Sequence, residues 1–243
     1  MRRTASSTSV ALPSSAWACT AMRRACGRVR VMELIDFVLS QLPPPPARVL
    51  EIGCGTDGGV TPALAAAGYD VLGVDPRAPE GPLFRRVTLE ELEPARYDAV
   101  VAACVLHHVA DLDAALDKLA AAAPLLILDE FAWELMDQPT IDWFEGQHRM
   151  LSLAGAEPPG PPDLAEWRRE HADLHPSGTL RRAVGVRYEE RQFEWRPYLY
   201  RWLGGPATLE LEQLLVDSDL IRPLGFRYAG TSTDTTRSVA APR

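Results

Sequence analysis

Short runs of apolar, often β-branched residues alternate with stretches whose apolar positions recur every three or four residues. Arg48–Ile52 (RVLEI), Asp70–Val74 (DVLGV), a short run near Phe84–Val87, the stretch 97–105 (YDAVVAACV) and Leu125–Leu128 read as strands. The fourth is rich in small and β-branched residues, as a strand buried on both faces is. In MELIDFVLSQL, starting at Met32, Leu34, Ile35, Val38 and Leu42 share one helical face, and Pro43 to Pro46 end the helix. A second helix is predicted over Val60–Ala67 with Gly68 as its stop, and a third after Asp111, where Leu112, Ala115, Leu116 and Leu119 form a stripe. The connection between the second and third strands, RAPEGP, is shorter than a parallel crossover usually requires, so one helix of the pattern looks lost. Residues 207–217 read as a helix, and Leu220–Thr231 as two short strands pivoting on Gly225.

Strands alternating with helices define an α/β, doubly wound, mostly parallel sheet. Residues 131–206 interrupt it. They hold 11 of the 18 aromatics and read mostly as helix, which suggests a helical cap inserted after the fifth strand. The domain is read as 31–231, followed by a polar, disordered tail at 232–243. Residues 1–30 carry six arginines and no acid. A transit peptide would look like this, and a secretory signal would need a longer apolar core. The reading favoured is an extension foreign to the domain, poorly ordered, with the natural start at Met32.

At 243 residues the chain can bury one sizeable core. No stretch approaches about 20 consecutive apolar residues, so no membrane span is expected. A net charge of −8 argues against nucleic acid or an anionic membrane as partner. Cys19, Cys26, Cys54 and Cys104 show neither a CxxC pair nor zinc spacing, so no metal and no disulfide framework is expected, in keeping with a cytoplasmic protein.

The chemistry concentrates where strands end. RVLEIGCGTDGG at 48–59 delivers a buried strand into a glycine turn at a helix start, and VLGVDP places a second acid, Asp75, after the next strand. Gly53, Gly55 and Gly58 satisfy GxGxxG, so a nicotinamide-dependent oxidoreductase is one reading. Glu51 weighs against it: a carboxylate beside the turn suits a ligand with an ammonium group and disfavours a pyrophosphate.

VLEIGCG, VLGVDP, YDAVVAACVLHHV and the closing GFRYAG together resemble the class I S-adenosylmethionine-dependent methyltransferases, small-molecule type, over about 45–130 and 207–231. The resemblance implies a seven-stranded Rossmann-like sheet with a terminal antiparallel hairpin. It implies that Gly53, Cys54 and Gly55 let backbone approach the cofactor's methionine part and that Glu51 orients its amino group. It further implies that Asp75, followed by Pro76, accepts the ribose hydroxyls, that Thr88 and Leu89 border the adenine, and that Cys104 and Val105 run along the cofactor. Asp57 stands where many members carry glycine, which departs from the pattern.

Methyl transfer from a sulfonium needs chiefly alignment and exclusion of water, and a base only when the acceptor is protonated. The candidates are His107, His108, Glu130 and His148. His107 and His108 either fix the strand end or supply a base, Glu130 is a pocket acid or a solvated one, and His148 either faces the site from the cap or serves the cap's structure. The acceptor is expected to be a small, partly apolar molecule. A protein that keeps the fold and binds cofactor without catalysis is the remaining alternative.

Overall fold

The computed structural model describes residues 27–233. Its elements are α1 (Gly27–Gln41), β1 (Arg48–Ile52), α2 (Thr61–Ala66), β2 (Asp70–Val74), β3 (Phe84–Arg85), β4 (Ala99–Ala103), α3 (Leu112–Ala122), β5 (Leu125–Phe131), α4 (Gln138–Leu153), α5 (Leu164–Glu170), α6 (Ser177–Gly185), β6 (Tyr188–Arg196), α7 (Pro206–Asp217) and β7 (Gly225–Ser232). One seven-stranded sheet runs β3-β2-β1-β4-β5-β7-β6. The first five strands are parallel, and β7 is antiparallel to both β5 and β6. Strand order reverses between β1 and β4, and in such sheets ligands bind outside the carboxyl ends at that reversal.

Alternation along the strands sorts side chains into two cores. Val49, Val101 and Ile127 meet Leu34, Phe37 and Val38 of α1 and Leu64 of α2 on one face. Leu50, Val100 and Leu126 meet Leu116 and Leu119 of α3 and Leu180 and Val184 of α6 on the other. Asp111 starts α3 by accepting from Ala114 N at 2.9 Å, and the expected stripe of Leu112, Ala115, Leu116 and Leu119 is buried. Both acts follow from the sequence: a short acceptor side chain satisfies an otherwise orphaned N–H, and the stripe removes apolar area from water.

Several expectations shift. α1 begins at Gly27, so the boundary drawn at residue 31 falls inside a helix; the disorder expected of residues 1–26 and of 234–243 lies outside the described residues. Two crossovers, not one, lack a helix: 75–83 and 86–98. Under the second lies a cavity of about 300 Å³ bounded by Leu50, Leu92, Tyr97 and Leu119, away from the strand carboxyl ends. The antiparallel pair at the sheet's edge is not formed within 220–231. That segment holds only β7, and its partner β6 lies in the stretch read as cap. The strand YEERQFEWR was hidden by its charge: it is the sheet's edge, largely exposed on both sides, with a register shift between Glu190 and Gln192 that breaks the alternation. α6 likewise packs on the main sheet. The aromatic cap is therefore α4, α5 and the turn Leu199–Trp202, gathered around Phe131, Phe144, Trp167 and Trp202.

Candidate active site

β1 ends in a turn that presents bare backbone. Gly53 has φ +73°, and a Cβ added there would lie 2.8 Å from Val105 Cβ; a Cβ at Gly59, φ +57°, would collide with the Glu51 carboxylate. Only glycine meets both demands. Glu51 is 1% exposed. Its Oε1 accepts from Val60 N at 3.0 Å, and its Oε2 from Thr61 N at 2.8 Å and Thr61 Oγ1 at 2.7 Å. These N–H groups start α2 and have no partner within the helix, so the carboxylate shapes the turn from beneath.

The turn is tied to the next strand. Gly53 N and Cys54 N both donate to Val74 O, at 2.8 and 3.3 Å, which brings Asp75 to the same crevice. Asp75 is 5% exposed, and its Oδ1 accepts from Arg77 N at 2.8 Å. Pro76 is exposed, Cys54 and Gly55 are buried, and Thr88 and Leu89 are half-buried. Thr88 and Glu91 exchange bonds, Thr88 N to Glu91 Oε2 at 3.0 Å and Glu91 N to Thr88 Oγ1 at 3.2 Å, which closes the turn after β3.

At the end of β4, Cys104 takes φ 51°, a left-handed conformation uncommon outside glycine, and its N–H donates to Asp129 O at 2.7 Å. The chain then curls into a 3-10 turn at Leu106–His108. Glu130 of β5, fully buried, pins that turn: its Oε1 accepts from Val105 N at 3.0 Å and Leu106 N at 2.8 Å, and its Oε2 lies 2.5 Å from His107 Nδ1. With Glu130 as acceptor the ring proton sits on Nδ1, so Nε2 is the basic atom. His107 is 3% exposed; His108 is exposed and leans on its ring at 4.1 Å. His107 and Glu130 are therefore brought together. His148 is not brought to them: its Nε2 meets Gly160 O at 3.1 Å and its ring lies beside Phe144, both within the cap.

Sequence reasoning missed the groups opposite Cys104. The turn after β6 sends Arg201 to Asp129, Nη2 to Oδ2 at 3.0 Å, while Arg227 reaches Asp129 Oδ1 at 3.4 Å. Burial works against the Arg201 charge, but Asp129 together with Tyr200, Cys104 and Tyr198 more than offsets it, and the guanidinium is held well above its ordinary range. Glu212 of α7 supports the turn, accepting from Tyr198 N, Leu199 N and Tyr200 N at 2.8, 2.9 and 2.5 Å. Burial pushes its carboxyl up to about 7, against the pull of those donors and of Arg201. One signal was available: Glu212 lies between Thr208 and Leu215 on the inner face of α7, where a carboxylate needs partners.

The model of the methyltransferase domain family matches residues 23–184. The ubiquinone biosynthesis O-methyltransferase of Xylella fastidiosa (strain 9a5c) is 32% identical over 189 residues, 64% of this chain and 70% of that protein. In fold the chain is similar to an S-adenosylmethionine-dependent methyltransferase from Mesorhizobium loti, with TM-score 0.52 and 16% identity over 81% of this chain and 96% of that one. It is also similar to a Listeria monocytogenes protein assigned to the same class, with TM-score 0.54 and 14% identity over 85% and 99%. The oxidoreductase and non-catalytic readings find no support here. A bare glycine turn beside a buried, strand-end aspartate fits the amino-acid tail and ribose of S-adenosylmethionine, and the chain belongs to the methyltransferase domain family as a class I S-adenosylmethionine-dependent methyltransferase.

Proposed function

We propose that this enzyme methylates an ionisable hydroxyl on a small, partly apolar molecule, with His107 taking the proton. The observation that carries the reading is the buried His107–Glu130 pair at the carboxyl ends of β4 and β5. S-adenosylmethionine, when bound, supplies a methyl group already activated on sulfur. What the chain adds is position, dryness and one proton acceptor. Gly53, Cys54 and Gly55 hold the cofactor's amino-acid part with backbone, and Glu51 fixes their turn. Asp75 grips the ribose, Pro76, Thr88 and Leu89 border the base, and Cys104 and Val105 line the path toward the acceptor. Glu130 orients the His107 ring so that Nε2 receives the hydroxyl proton.

The Xylella relative carries the name of an O-methyltransferase, which agrees with a hydroxyl acceptor. The net charge of −8 suits a small molecule better than nucleic acid. Among the described residues no helix is long and apolar enough to cross a membrane; we place the enzyme in the cytoplasm because the spacing of its four cysteines gives no disulfide framework.

The test is S-adenosylhomocysteine release from S-adenosylmethionine with a panel of phenols, alcohols and amines. Glu130→Gln and His107→Gln are expected to lower turnover by about 10²-fold while leaving cofactor affinity unchanged. Full turnover in both folded variants would remove the base assignment. No binding of S-adenosylmethionine by calorimetry would remove the cofactor site.

A further inference from the structure

The turn that carries His107 is held from two sides. Glu130, on the sheet, accepts the N–H groups of Val105 and Leu106 at the turn's entry and meets His107 Nδ1. The exit is held by His175, from far along the chain. His175 N donates to His107 O at 3.1 Å, and His175 Nε2 lies 2.9 Å from Val109 O. A carbonyl only accepts, so His175 Nε2 carries a proton whatever the charge of its ring. Within the turn His108 N donates to Val105 O at 3.0 Å and Val109 N to Leu106 O at 3.3 Å. One half-buried histidine thus engages the carbonyls at 107 and 109, where the Glu130 bonds do not extend.

His175 sits on a braced segment, the connection 171–176 between α5 and α6. At one end His171 donates from N and Nδ1 to Trp167 O at 3.1 and 2.7 Å, with its ring stacked on the indole at 4.1 Å. Trp167 belongs to the cap's aromatic cluster, against Phe131 and Trp202. At the other end Ser177 gives its N–H, at 2.8 Å, and its hydroxyl to Glu134 Oε1, and α6 goes on to bury Leu180 and Val184 on the sheet. The segment therefore ties cap, sheet and turn together. Glu130 sets how the His107 ring is rotated. His175 sets where the backbone at 107–109 lies, and with it the place of His107 Nε2. A reacting group misplaced by about 1 Å can cost about 10²-fold in rate, so this second support bears on the chemistry.

We propose that His175 is a positioning residue for the proton transfer: its ring N–H clamps the exit of the turn and so keeps His107 Nε2 in line with the acceptor hydroxyl. It acts through His107, with its own donor spent on Val109 O. The inference rests on the function proposed above, in which His107 is the base, and adds the residue that keeps that base in place.

The chain has five histidines, so their rings can be followed one by one by NMR in protein labelled at the histidine ring nitrogens, with and without S-adenosylhomocysteine. His107→Gln assigns the His107 signal, expected with its proton on Nδ1. His175→Phe keeps a flat ring and removes the donor. In it the Nδ1 proton of His107 should exchange with water at least about tenfold faster. Turnover of the phenol that the wild type methylates fastest should fall about tenfold at unchanged KM for S-adenosylmethionine. His175→Gln, whose amide N–H can take the place of Nε2–H, should keep both within about twofold of wild type. His175→Leu replaces the Phe variant if the phenyl ring prevents folding. Unaltered exchange and turnover in the donor-free variant overturn the proposal, as does an equal loss in His175→Gln, which would assign the effect to ring shape. An equal disturbance of His148, which meets Gly160 O inside the cap, also overturns it, because the cap as a whole would have loosened. Full turnover in His107→Gln would count against the base instead, while exchange of the His107 proton, measured without any acceptor, still decides whether His175 holds the turn.

Discussion

Glu51 and Thr61 are joined twice: the carboxylate of the first strand accepts both the backbone N–H and the hydroxyl of the residue that opens α2, at 2.8 and 2.7 Å. The acid of the glycine motif is thus a fastener between strand and helix. Glu51→Ala removes the acceptor of Val60 N and Thr61 Oγ1 and leaves Thr61 N only its 3.2 Å bond to Gly58 O, so it should cost about 2–4 kcal/mol of stability in urea unfolding, against about 1 kcal/mol for Thr61→Ala. A double-mutant cycle between the two should show coupling of at least about 0.5 kcal/mol. Additive effects would mean that the contact is incidental.

Asp75→Ala should weaken S-adenosylhomocysteine binding by more than about 1 kcal/mol, the scale of a charge-assisted hydrogen bond, in a protein that keeps its circular dichroism. The buried carboxylate spends one oxygen on Arg77 N, so a small loss of stability accompanies the substitution. Unchanged affinity in calorimetry would refute the ribose assignment.

Gly53→Ala meets two penalties at once, a positive φ and the Val105 side chain. It should destabilise the protein by about 1–3 kcal/mol and weaken cofactor binding. Val105→Ala in the same chain should restore part of the loss, because it removes the collision and leaves the backbone strain. No recovery would show that φ alone decides.

Glu212 gives the protein a pH dependence of its own. The folded chain holds this proton up to about pH 7, whereas the unfolded carboxyl releases it near its ordinary value of 4.5. Between those values the folded state binds more protons, so stability from this group is whole below about pH 4.5 and is lost as pH rises toward 7, on the order of 3 kcal/mol in all. Wild-type urea midpoints at pH 4.5, 5.5 and 7 should therefore fall relative to those of Glu212→Gln. Parallel curves would place the titration elsewhere.

Cys104 adopts φ 51°. Cys104→Gly should relieve that strain, gaining up to about 1 kcal/mol before the loss of side-chain packing is counted, and Cys104→Val should lose more than 1 kcal/mol. The two should differ in thermal midpoint by several degrees.

Much of this was legible beforehand, because the parallel strands are buried on both faces and announce themselves by composition. Arg48–Ile52 and Asp70–Val74 fall where the pattern placed them, and Asp111 caps its helix. β6 escaped because an edge strand owes its shape to a neighbour and not to its own alternation: Glu189, Glu190 and Arg191 face water. The glycine turn and Asp75 were readable because backbone approach leaves a motif. Glu130 and His107 were named as candidates, but only the fold shows that they touch. Arg201 with Asp129 was invisible, since 72 residues separate partners that only the sheet and the turn after β6 bring together.

β7 lies between β5 and β6, although it is the last described strand in the chain. A ribosome delivers β5 and β6 well before the segment that must slide between them. Until Gly225–Ser232 emerges, β5 offers a naked edge and β6 has nothing to pair with. The nascent protein therefore waits for this stretch before either strand is protected, and its unpaired strand edges are most open to aggregation in that interval.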